Sequence, residues 1–101
     1  MTAGKLIFTS GSEADIKESF IWYETQLPGA GDKFVDEVNS VAVRILKHPG
    51  HFPEVLQNIH KANLKEFPFS VFFVIFTSDI YVIAIFHNSR NPQIWKNRTL
   101  K

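Results

Sequence analysis

Cysteine is absent from this sequence, which removes disulfide scaffolds and thiolate metal sites from consideration. Long apolar runs are missing too. The richest stretch, Val71 to Phe86, is broken by Thr77-Ser78-Asp79, and neither half approaches the ~20 residues a membrane helix requires. Leu6-Ile7-Phe8 is too short for the apolar core of a secretion signal. Charge of one sign does not dominate: 11 Lys and Arg stand against 10 Asp and Glu, and a net charge of +1 does not by itself diagnose nucleic-acid binding. There is no phosphate-cradling glycine loop and no elbow-type nucleophile motif. His48, His51, His60 and His87 lack the helical i, i+4 spacing of a zinc protease, and His48-Pro49-Gly50-His51 has no obvious third ligand. The expectation from these absences is a cytoplasmic protein with no membrane contact, no metal and no cofactor.

What is present fills one modest core. The chain has 101 residues, 45% of them hydrophobic, and reads as a single domain over 1–101. Leu6-Ile7-Phe8-Thr9 is β-prone, and Ser10-Gly11-Ser12 supplies hydroxyls to cap a helix. Ile16, Phe20, Tyr23 and Leu27 then form one helical stripe, with Asp15, Lys17, Glu18 and Glu24 largely off it. Pro28-Gly29 breaks that helix. A second begins near Asp32, carries Phe34, Val38, Val41 and Ile45 on one face, and ends near His48. So short a break predicts an antiparallel helical hairpin laid on a sheet. The loop Pro49 to Pro53 follows, then strands over Ile59–Phe67, Phe69–Phe76 and Tyr81–Phe86, the last two joined by a turn at Thr77-Ser78-Asp79. The predicted architecture is α+β, in the order β-α-α-β-β-β, with an antiparallel sheet packed against an N-terminal helical hairpin. From Ser89 onwards the chain is a polar tail.

Candidate chemistry gathers in the second half, where Lys61, Lys65, Arg90, Lys96, Arg98 and Lys101 outnumber Glu66 and Asp79. Lys61, Asn63 and Lys65 alternate, so a strand there sends them to one face and Ala62 and Leu64 to the other. His87, Asn88 and Arg90 follow the last strand. If the two strands lie close, His87 would move a proton while Lys61, Lys65 and Arg90 stabilise charge on phosphorus, a set suited to RNA cleavage by the neighbouring 2′-hydroxyl. Each residue also has a plainer reading: His87 as a half-exposed strand end, the lysines as a solvated face, Arg90 paired with a helix acid, His60 turned toward the helices. Trp22 and Tyr23 read as core, and Trp95 as an anchor for the tail.

Several runs together resemble one family. Asp15-Ile16 through Trp22-Tyr23-Glu24, Gly29 to Phe34, Pro49 to Pro53, Phe67-Pro68-Phe69, and His87-x-x-Arg90-x-Pro92-x-x-Trp95 with Arg98 resemble the RelE/ParE toxin superfamily over nearly the whole chain. The resemblance implies a toxin of a bacterial type II toxin–antitoxin pair, of the plasmid-stabilisation type, with a compact β-α-α-β-β-β fold. A cognate antitoxin would wrap it, and a homodimer would be an alternative when the antitoxin is missing. Free, it would cleave mRNA on the ribosome through Lys61, Lys65, His87 and Arg90, or poison DNA gyrase by binding without catalysis. Phe69 and Phe73 stand where many relatives have tyrosines. Ten phenylalanines in so short a chain also imply apolar surface left over for another chain.

Overall fold

The computed structural model describes residues 4–91, 93–96 and 98, with the backbone alone for Ile94 and Trp95. The expected roles of Pro92, the Trp95 ring and Lys101 lie outside the described residues. In chain order come strand β1 (Leu6–Phe8), helices α1 (Ser10–Gln26) and α2 (Ala30–Lys47), and a 3-10 turn at Pro49–His51. Strands β2 (Glu54–Leu56), β3 (Ile59–Asn63), β4 (Phe69–Phe76) and β5 (Asp79–His87) follow, then the one-turn helix α3 (Gln93–Lys96). The strands form one sheet in the order β1-β5-β4-β3-β2. The α+β plan and the helical hairpin are as expected. The sheet, however, is mixed rather than antiparallel: β1 lies parallel to β5, with Leu6 opposite Ile80 and Phe8 opposite Val82. A long crossover separates these two strands, so no tight turn forces them to run in opposite senses.

The helix caps come from unexpected residues. Thr9, not the serines after it, is the N-cap of α1, taking the Ser12 amide on its hydroxyl. Both the amide and the hydroxyl of Thr9 also donate to the Val82 carbonyl at 3.0 Å, so one residue ends β1 and starts α1. Gly29, at φ 92°, makes the break between helices. The Glu24 carboxylate then accepts from the amides of Gly29 at 3.0 Å and Gly31 at 2.8 Å, which caps α2 from the neighbouring helix. On α2 the predicted face is buried as read, with Phe34, Val38, Val41 and Ile45 at most 1% exposed. On α1 it is not. Leu27 sits past the helix end and is 64% exposed, and Trp22, expected in the core, is 58% exposed. Trp22 lies a third of a turn from Tyr23, which does point inward, onto Phe34, Phe67 and Phe69.

Strand β3 stops at Asn63 because Glu37 of α2 accepts the amides of Lys65 and Glu66 and bends the chain away from the sheet before Pro68. The small edge strand β2 is an addition to the predicted set; its three residues are all exposed. Strands β4 and β5 are buried on both faces, which is why they read as nearly continuous apolar runs. Toward the helices lie Phe69, Val71, Phe73, Ile80, Val82 and Ile85. On the outer face Ile59, Phe72, Ile83, Ala84 and Phe86 make a second cluster, at most 5% exposed, against which Arg98 lies. Among the described residues, the leftover apolar surface predicted from the phenylalanines lies at the sheet's end, at Ile75 and Phe76, on α1 and its end, at Ile21, Trp22 and Leu27, and at Val43, Val55 and Leu56.

One irregularity decides where the candidate residues point. Phe72 pairs with Ala84 but Phe73 pairs with Val82, so Ile83 is an extra residue bulged out of β5. Ile83 and Ala84 consequently share the outer face, and every later residue of the strand is turned over relative to strict alternation.

Candidate functional site

Because of the bulge, His87 ends β5 on the helix side, where its ring meets Phe69 edge-on at 5.2 Å between centroids. It opens onto a cleft of about 510 Å³ between α1 and the end of the sheet, walled by Trp22, Tyr23 and Phe69 and rimmed by Glu18, Ser19 and Arg90. The amide of Ser89 donates to His87 Nδ1 at 3.1 Å, and the Ser89 hydroxyl lies 2.8 Å from the same nitrogen. An N–H can only donate, so Nδ1 accepts and the neutral ring carries its proton on Nε2. Arg90 is fixed through its amide, which donates to the His87 carbonyl at 3.0 Å, while its guanidinium rests 4.2 Å from the centre of the Phe86 ring. Its pairing with the helix acid Glu18 is long, at 4.0 Å, and exposed on both sides. Such a pair contributes ~1 kcal/mol at most. Burial holds the Tyr23 phenol protonated to higher pH than its ordinary value of 10.0. Its hydroxyl has no hydrogen-bond partner among the described residues.

The other candidate cations are elsewhere. Lys61 pairs in register with Phe72, whose side chain belongs to the outer cluster, so the sheet lies between Lys61 and His87. Lys65, in the loop after β3, lines a separate polar cleft with Lys33, Asp36, Glu37 and Arg44 of α2. The structure thus joins His87 with Arg90 and leaves Lys61 and Lys65 in two other places. His60 turns toward the helices: its ring stacks on Phe73 at 5.1 Å, and its Nδ1 lies 2.9 Å from the Phe52 carbonyl, which can only accept. It holds the Pro49–Pro53 loop against β3.

Two polar clusters escaped the reading of the sequence. Asp15, only 8% exposed, accepts the Ile85 amide at 3.0 Å and both guanidinium nitrogens of Arg98, at 2.6 and 3.2 Å. Arg98 also donates to the Ile83 carbonyl at 3.1 Å. Strand β1 ends opposite Val82, so this ion pair takes over as the cover for the bare edge of β5. Spacing would have put Asp15 on the solvent side of α1, and nothing in a linear pattern reveals a partner 83 residues away. On the outer face the Ser70 hydroxyl sits between Asn63 Oδ1 at 2.7 Å and Asn88 Oδ1 at 2.6 Å. A hydroxyl has one hydrogen, so one of the two amides must present its NH2 group. The alternation of Asn63 with Lys61 was the available signal for that cluster.

This arrangement of a helical hairpin on a five-stranded mixed sheet has counterparts among known proteins. The family model described as ParE toxin of type II toxin-antitoxin system, parDE, matches residues 6–92. The chain belongs to the ParE toxin family. It is therefore a toxin of the type II toxin–antitoxin class. A chain of a solved structure titled "Chromosomal ParDE TA system from P. aeruginosa" is similar in fold, with a TM-score of 0.74 and 18% identity over 82% of this chain and 94% of that one. No curated protein matches the sequence. Among the described residues of this ParE-family chain, no helix is long and apolar enough to cross a membrane.

Proposed function

We propose that this ParE-family toxin works by binding DNA gyrase without catalysis, as one domain acting in the cytoplasm, and that a cognate antitoxin neutralises it. The observation that carries this reading is the separation of the cations. A nuclease of the kind read from the sequence needs Lys61, Lys65, His87 and Arg90 around one phosphate, yet Lys61 lies across the sheet from His87 and Lys65 in the cleft beside α2. Phe69, beside His87, has no hydroxyl with which to hold a base or a phosphate. A binding toxin requires no such convergence. Membership of the ParE family favours the same side.

One observation keeps ribosome-dependent mRNA cleavage as the second reading: His87 and Arg90 do share a cleft, and the imidazole presents an N–H there. The two separate in one comparison. Purified toxin should inhibit DNA supercoiling by gyrase, and its induction in bacteria should produce DNA breaks and filamentation while primer extension shows intact transcripts. Codon-linked transcript cuts together with unimpaired supercoiling would reverse the assignment.

A further inference from the structure

The cleft beside α1 holds side chains that the gyrase reading leaves unused. Trp22, Tyr23 and Arg90 line it together. These are the residue types on which protein interfaces concentrate their binding energy, because each presents a large, stiff surface ending in a polar group. Trp22 is 58% exposed, and covering an indole is favourable in proportion to the apolar area taken from water.

Apart from Ser19 and the Glu18 carboxylate at the rim, the polar side of the cleft is made of donors. With Nδ1 engaged by Ser89, His87 has its Nε2–H to offer. Arg90 is braced by Phe86 and only loosely opposed by Glu18. Tyr23 lines the same space. Donors grouped between aromatic walls suit an anionic acceptor attached to something apolar. A nucleic-acid strand fits poorly, because a phosphate backbone is held by several cations, whereas Arg90 is the sole Lys or Arg lining the cleft among the described residues and Glu18 stands at its rim. A peptide needs one carboxylate.

The geometry points to this cleft as the anchor for a protein partner that inserts an acidic side chain next to a large apolar one. The carboxylate displaces Glu18 from Arg90 and takes paired N–H bonds from the guanidinium, with the His87 Nε2–H in support. The apolar neighbour covers Trp22 and meets Phe69. The inference rests on the reading that a protein partner holds the toxin, and names the chemistry by which it does so.

The test uses the whole isotope-labelled protein and three probes: N-acetyl-Glu-Phe-amide, N-acetyl-Gln-Phe-amide and AMP, with the side-chain NMR signals of Trp22, His87 and Arg90 as the readout. The Glu peptide should shift all three signals and bind at least tenfold more tightly than the Gln peptide. Arg90→Gln should abolish the difference between the peptides, and Trp22→Ala should weaken both alike. Equal affinity for the two peptides, shifts caused by AMP alone, or no shift of these signals by any probe in a protein whose spectrum is that of the folded state would each overturn the assignment. Antitoxin binding is measured separately, so its failure would remove the partner reading without touching the peptide result.

Discussion

Asp15 shows how much can depend on one carboxylate. It satisfies a strand amide that β1 is too short to reach and holds Arg98, which in turn covers the Ile83 carbonyl and the Phe86 ring. Replacing it by alanine leaves the Ile85 amide unmatched and the Arg98 guanidinium with only the Ile83 carbonyl and the Phe86 ring. Asp15→Ala should therefore cost about 2–3 kcal/mol, below the usual range for a fully buried pair because the Arg98 side chain is 30% exposed. Arg98→Met keeps the carboxylate-to-amide bond and much of the packing, and should cost roughly half as much. Urea denaturation of both variants measures this; equal losses would mean that the ion pair, not the edge amide, dominates. Tyr23 gives a pH dependence of known sign. Its phenol has a raised pKa in the folded state, so the folded form binds its proton more tightly than the unfolded form does. Stability is then unaffected below the unfolded value of about 10 and falls as pH rises above it toward the folded value. Tyr23→Phe should flatten this alkaline decline in a denaturation series.

At the scale of elements, the turn between β4 and β5 is built against the preferences of its own residues. Thr77 and Ser78 both have positive φ, 46° and 73°, the geometry of a two-residue hairpin turn that favours Asn-Gly, and threonine is β-branched. The double change Thr77→Asn, Ser78→Gly should raise stability by about 1–2 kcal/mol, read as a higher urea midpoint at unchanged slope. The helical hairpin is built the other way, with no slack. A Cβ at Gly31 would come within 2.8 Å of the Phe20 carbonyl and 2.7 Å of its ring, so Gly31→Ala should push α1 off α2 and cost about 1–3 kcal/mol. The hairpin itself was legible because Phe34, Val38, Val41 and Ile45 repeat with the helical period and Pro28-Gly29 cannot continue a helix. That His87 and Arg90 lie together was legible too, from their place after the last strand. Their separation from Lys61 was not, because a bulge at Ile83 leaves no mark in a run of apolar residues that all have strand preferences. Trp22 was misread for a related reason. An aromatic next to the inward stripe is indistinguishable in sequence from one within it, and only the cleft shows which it is.

Across the whole molecule the candidate cations Lys61, Lys65 and Arg90 are spread around the sheet rather than focused. Lys61 is on the outer face, Lys65 beside α2, and Arg90 over Phe86 at the far end of β5. Spread charges steer and orient a large partner, and each contributes modestly; a catalytic set behaves differently, because losing a proton-transfer group costs 10²–10⁴-fold in rate. This difference makes the mechanism readable from the size of single-site effects. Lys61→Gln, Lys65→Gln and His87→Gln should each change the concentration of toxin that halves gyrase supercoiling by less than about tenfold, with losses that multiply when the substitutions are combined at these separated positions. A drop of 10² or more in toxicity from His87→Gln alone, with the fold intact by circular dichroism, would instead mark the imidazole as a proton-transfer group and return the toxin to the class that cuts RNA.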